Sequence, residues 1–151
     1  MKLGKYFSLA ELTRSQTALR RGIDNKPNKE QIQNLEDLVF HVLDPIRTHF
    51  RLPVNVNSGF RCLELNEAVG SKSTSQHTQG KAADIEIPTK DNLELAKWIS
   101  ENMDFDQLIL EFHTVGEPRS GWVHVSWEGK GKNRRQVLTI NRNGVKVGLP
   151  E

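Results

Sequence analysis

Cysteine is nearly absent from this sequence: Cys62 stands alone. One thiol cannot close an internal disulfide or build a Cys-rich zinc site, so a metal held by this chain has to use histidine and carboxylate ligands. Charge of one sign is equally scarce. Lys and Arg number 21 against 19 Asp and Glu, a formal net charge of +2, far from the concentrated basic face that nucleic acid binding requires. No apolar run is long enough to cross a membrane, and the opening MKLGKYFSLAEL carries two lysines without the apolar stretch of a secretory signal peptide. The expectation is a protein made in the cytoplasm, without nucleic acid partner or membrane insertion. No repeat or low-complexity tract interrupts the 151 residues, so 1–151 reads as a single domain.

What is present is punctuated order. Ser8-Leu9-Ala10-Glu11 fits a capping box, predicting a short helix near 9–14. Asn28-Lys29-Glu30-Gln31 opens a longer segment in which Ile32, Leu35, Val39, Val42, Leu43 and Ile46 recur at helical spacing, and Pro45 predicts a kink or break near Val42 to Asp44. Alternation at Pro53 to Asn57 reads as a short strand ending at Ser58-Gly59. Ser71 to Gly80, rich in Ser, Thr and Gln, reads as a loop. Ala83, Ile85 and Ile87 alternate with Asp84 and Glu86, and Asp91 to Met103 carries a helical pattern. Strands follow at Asp106 to Phe112 and Trp122 to Trp127, and Asn143-Gly144 marks a C-terminal β-hairpin between Val137–Ile140 and Val145–Val147. Helices early and strands late predict an α+β fold, with helices packed on one face of a mainly antiparallel sheet.

Three residues on these elements suggest chemistry. Alternation in Trp122 to Trp127 puts Val123, Val125 and Trp127 on one face and His124 with Ser126 on the other, as it sets Asp84 opposite Ala83 and Ile85. If the two strands are neighbours, Asp84 and His124 converge on the open face of the sheet, with His77 reaching over from its loop. Two imidazoles and one carboxylate, leaving a fourth position free, is the donor pattern of a catalytic zinc site.

Ser75-Gln76-His77-Thr78-Gln79-Gly80-Lys81-Ala82-Ala83-Asp84 resembles the S-x-H-x-x-G-x-A-x-D segment of the zinc D-Ala-D-Ala carboxypeptidase-like peptidoglycan peptidases, a family that includes vancomycin-resistance dipeptidases and phage endolysins and is related to the hedgehog zinc fold. Trp122-Val123-His124-Val125-Ser126 is similar to the segment that carries the second zinc histidine. Asn57-Ser58-Gly59-Phe60-Arg61 and Phe105 to Glu111 also match, while Tyr6 to Leu12 and Val42 to Arg47 look like short phage or prophage members. The resemblance implies one zinc per chain on His77, Asp84 and His124. It implies a substrate-reading Arg61, with Ser58, Gln76 and His113 as further substrate-binding residues. The partner implied is the peptidoglycan stem peptide, met by a monomer acting on the wall after release or delivery.

One position departs from the family. Many members place the catalytic acid three residues before the last zinc histidine, where this chain has Gly121. Glu111 is the best remaining carboxylate, with 112–121 as an insertion, and His113 is the other candidate proton carrier. The carboxylate that Arg61 would read is the C-terminus of D-Ala-D-Ala or the free carboxyl of D-Glu. The rival class is a zinc-bearing wall-binding or phage tail module of weak or no activity. His41 and His49 are read as helix surface, Cys62 as a small buried hydrophobe. Lys130, Lys132, Arg134 and Arg135 are read as a solvated loop, and Glu117 and Glu128 as loop carboxylates without a role.

Overall fold

In the computed structural model, which covers residues 1–151, the Ser8/Glu11 capping box starts α1 (Leu9–Thr13). A second helix, α2 (Gln16–Arg21), follows a Ser15 cap. Asn28 and Gln31 form another capping box at α3 (Lys29–Leu38). The long apolar stripe then continues as one π-helical turn, Val39–Leu43, and as α4 (Asp44–Phe50). Pro45 has no N–H to give the helical ladder, and the chain meets this by widening the turn before it: the Asp44 N–H donates to the Val39 carbonyl. The expected break is therefore a wide turn, and the helix direction is carried through it.

The strands are β1 (Asn55–Ser58), β2 (Ala82–Glu86), β3 (Gln107–Glu111), β4 (Trp122–Ser126), β5 (Gln136–Asn141) and β6 (Gly144–Val147). They form one sheet in the order β1-β2-β4-β3-β5-β6. Every pairing is antiparallel except β3 with β5. The expected C-terminal hairpin is β5–β6, turning at Arg142-Asn143. The fold is α+β, as the order of elements indicated.

The core lies between the sheet and the helices. Ala83, Ile85, Leu108, Leu110, Val123 and Val125 face α3, α4 and α6 (Asn92–Asn102), which contribute Leu35, Leu38, Ile46, Leu95, Ala96 and Ile99; all twelve belong to one buried cluster. Period-two alternation thus commits one sheet face to the core and, on β2 and β4, sets Asp84, Glu86, His124 and Ser126 on the other. Two helical segments escaped sequence reading besides α2: α5 (Leu63–Ala68) and a 3₁₀ turn at Gln76–Gln79 within the expected loop. Segments of six residues or fewer hold too few apolar positions to reveal a 3.6 period. Strict alternation along the expected Asp106 to Phe112 strand would set Phe112 on the core face with Leu108 and Leu110, but its side chain is half-exposed, because its backbone turns left-handed (φ 55°) and ends β3.

Candidate metal centre

Asp84 and His124 sit directly opposite each other in the antiparallel β2–β4 ladder, a pairing that brings side chains on one face within reach. His77 comes from the 3₁₀ turn, which Ser75 caps by accepting the His77 N–H. The segment between β1 and β2 folds over this end of the sheet, held by the Arg61 N–H donating to the His77 carbonyl at 3.0 Å. The site is thus on the face away from the main helices, as expected, yet recessed: His77, Asp84 and His124 are all buried.

Their geometry fits a metal. One ligand atom from each of the three falls within 4.8 Å of the others. Asp84 Oδ1 lies 3.0 Å from His124 Nδ1 and 3.3 Å from His77 Nε2. Ligand atoms on a tetrahedral ion at about 2.0–2.1 Å are about 3.3 Å apart, close to both Asp84–histidine spacings. His77 Nδ1 is 2.7 Å from the Gly59 carbonyl. That contact places the ring proton on Nδ1 and turns Nε2, with its lone pair, toward Asp84, an outer-sphere orientation typical of metal-binding histidines. Gly59 is required there: a Cβ would collide with the Leu12 carbonyl oxygen of α1. Burial alone would push the Asp84 carboxyl up, but the His77 and His124 rings, when they carry a proton toward it, outweigh burial and hold the group well below the usual carboxylate range; a shared cation would take the place of those protons.

Glu111 ends β3 on the same face. Ile109 pairs with His124 and Glu111 with Trp122, so alternation directs Glu111 to the metal side of the sheet. Burial, then the Asp84 charge, raises its carboxyl above the ordinary range, while His124 and Arg61 pull the other way. The buried Trp122 indole N–H lies beside Glu111 without a well-formed hydrogen bond and pulls the same way as His124 and Arg61. Gly121 has no room for a side chain. It lies at φ +67°, and a Cβ would strike the Glu111 carbonyl oxygen and come within 2.7 Å of His113 N and Phe112 C. Backbone at the end of β3 thus fills the space that a side chain at position 121 would need.

Arg61 reaches the group from the other side, its NH2 3.8 Å from Asp84 Oδ2. Its Nε donates to Ser58 Oγ at 3.1 Å and NH1 to Asn66 Oδ1 at 3.2 Å. Asn66 is buried and also donates to the Lys72 carbonyl, which makes it a positioning residue that sequence reading missed with α5. Gln76 is committed internally, donating to Asp106 Oδ2 and Glu128 Oε2. Glu128 in turn accepts from Lys81, and Asp106 from Arg134 through two nitrogens. Lys130, Lys132, Arg134 and Arg135 are all exposed as expected, Arg134 gripping Asp106 in addition, whereas Glu128, read as a loop carboxylate without a role, holds Gln76 and Lys81. His113 is not brought to the metal group: its ring contacts the Ser120 carbonyl at 3.0 Å, and Nε2 lies 3.4 Å from Asp91. His41 and His49 stack on Trp127 and Trp98 at the helix surface. Cys62 is half-buried against the core.

Two cavities flank the centre. One of about 390 Å³ contains Ser58 and Arg61, with Arg14 across from them and no carboxylate in its lining. The other, about 670 Å³, contains His124 and Gln76 and extends over β3, β5 and β6. No helix is long and apolar enough to cross a membrane. Residues 5–126 match the family model described as Peptidase M15. None of the curated proteins compared matches the chain.

Proposed function

The chain belongs to the zinc-dependent peptidase M15 family, and from that premise we propose that it hydrolyses a peptide bond in bacterial peptidoglycan stem peptides. The zinc ligands are His77, Asp84 and His124, one ion per chain, within a single catalytic domain. The observation that carries this reading is the convergence of that trio with Glu111 and Arg61 on one recessed patch, between two cavities able to hold the two ends of a peptide.

Zinc, when bound, supplies Lewis acidity at a carbonyl oxygen and makes water acidic enough to attack near neutral pH. The chain's own residues do the rest. Glu111 accepts the proton of the attacking water and delivers it to the leaving amine; its raised pKa keeps it a competent proton carrier nearer neutrality than a free carboxylate. Arg61, held as a fork by Ser58 and Asn66, pairs with a substrate carboxylate through two parallel hydrogen bonds. Ser58 is both a support for Arg61 and a lining group of the carboxylate cavity. Gln76 shapes the other cavity while its amide anchors the His77 turn. The segments similar to short phage members support a lysis role, with a monomer acting on the wall after release or delivery.

The experiment is mass spectrometry of fragments from purified peptidoglycan, with and without a chelator. Metal-dependent release of new peptide amines from one bond type is expected. Intact wall after incubation with the zinc-loaded protein would favour a binding module instead.

A further inference from the structure

The family match ends at residue 126, and the chain then adds β5 and β6 to the sheet. This hairpin is not remote from the metal centre. Leu138 pairs with Ile109, the residue opposite His124, and Ile140 pairs with Glu111. Directly paired residues project to the same face, so Leu138 and Ile140 join the metal side of the sheet. The next pairing, Ile140 with Val145, carries that face onto β6. Ile109, Leu138, Ile140 and Val145 thereby floor the 670 Å³ cavity that also holds His124. Val145 is 62% exposed on this floor. The rest of the lining is polar: hydroxyls and amides such as Ser71, Thr74 and Gln79, together with the charged Lys72, Glu128 and Arg134.

We propose that the β5–β6 hairpin is a specificity element: an apolar platform that binds peptide residues on the side of the scissile bond away from the Arg61-held carboxylate, making the enzyme selective for long stem peptides over dipeptides. This rests on the peptidase reading above. The occupant is the substrate itself, because the platform and a metal ligand line one continuous cavity and the opposite side of the centre is taken by the arginine pocket. An aliphatic floor beside a polar and charged lining suits a peptide that lays small alkyl side chains down and turns its backbone and carboxylates to that lining. Span sets the length selected. Adjacent strands are about 4.8 Å apart, so the three steps from β4 to β6 cover about 14 Å, which about four extended residues bridge.

The test compares zinc-loaded wild type with Val145→Asn, and with Lys146→Asn on the opposite face of the same strand, on synthetic stem peptides of two to five residues. Wild-type kcat/KM should climb with length, and Val145→Asn should lose about tenfold on the longest peptide, mainly through KM. Lys146→Asn should keep the wild-type dependence. Calorimetric binding of the same peptides gives a readout that does not need turnover. A wild type that binds and cleaves short and long peptides alike, or a Val145→Asn protein with unchanged length dependence, overturns the proposal. A change of mass in solution scattering without a change in peptide binding also overturns it, assigning the patch to contact between copies. Length-dependent binding without any cleavage would sink the peptidase reading while leaving the platform standing.

Discussion

Substituting Gly121 by Ala tests whether backbone at the end of β3 leaves position 121 no room for a side chain. Two costs add. A non-glycine residue at φ +67° loses about 1–2 kcal/mol to left-handed backbone strain. The new methyl meets the Glu111 carbonyl oxygen, with His113 N and Phe112 C at 2.7 Å; all three are backbone, and relieving such overpacking costs about 1–3 kcal/mol. The sum is about 2–5 kcal/mol, a large share of an ordinary domain's stability. For a chain of this size it lowers Tm by about 4–20 °C. The displaced segment ends in Glu111, and a shift of about 1 Å in a catalytic group can cost about 100-fold in rate. Differential scanning calorimetry and peptide turnover measure both quantities. Gly121→Asp should fare no better than alanine, although it restores the familiar acid type. An alanine variant melting with the wild type at full turnover would refute the packing argument, and a faster Gly121→Asp enzyme would refute the reason given for the departure.

Three further outcomes are expected. His77→Ala and His124→Ala should lose most of their zinc by elemental analysis, because each removes one of the three donors His77, Asp84 and His124; full retention in either would remove that ligand. Arg61→Lys should fold but lose most activity, since a point charge cannot make the fork contacts to Ser58 and Asn66 and still present a planar pair to substrate; wild-type kinetics would show that Arg61 does not read a carboxylate. In the zinc-free protein the Glu111 carboxyl should lose its charge at a higher pH than a free glutamate near about 4.3, because burial and the Asp84 charge favour its neutral form; carboxyl NMR of the zinc-free protein showing titration at or below that value would contradict the role of burial.

What was legible in the sequence, and what was not, follows from the range of the interactions. Period-two alternation put His124 opposite Val123 and Val125 and Asp84 opposite Ala83 and Ile85, and both assignments hold because each strand buries a single apolar row against the helices. Alternation could not say that β2 and β4 are neighbours, since pairing is a long-range choice; the direct Asp84–His124 register is the structure's contribution. Short elements set by single caps, such as the Ser75-capped turn under His77, leave no periodic trace. Side-chain networks are the least legible of all. Nothing local in the sequence tells that Glu128 holds Lys81 and Gln76, or that Arg134 grips Asp106 from 28 residues away. His113, adjacent to the site along the chain, is carried off by the left-handed Phe112 to Ser120 and Asp91.

The most direct measurement is turnover of a stem peptide by Glu111→Gln beside its zinc content, with Glu117→Gln as the exposed-loop control. The amide is nearly isosteric with the carboxylate and Glu111 is not among the three metal-holding side chains, so the variant should fold and keep its zinc. It should turn over at least about 100-fold more slowly, because it cannot accept a proton, while Glu117→Gln matches the wild type. Undiminished turnover in zinc-loaded Glu111→Gln would contradict the assignment of Glu111 as the base.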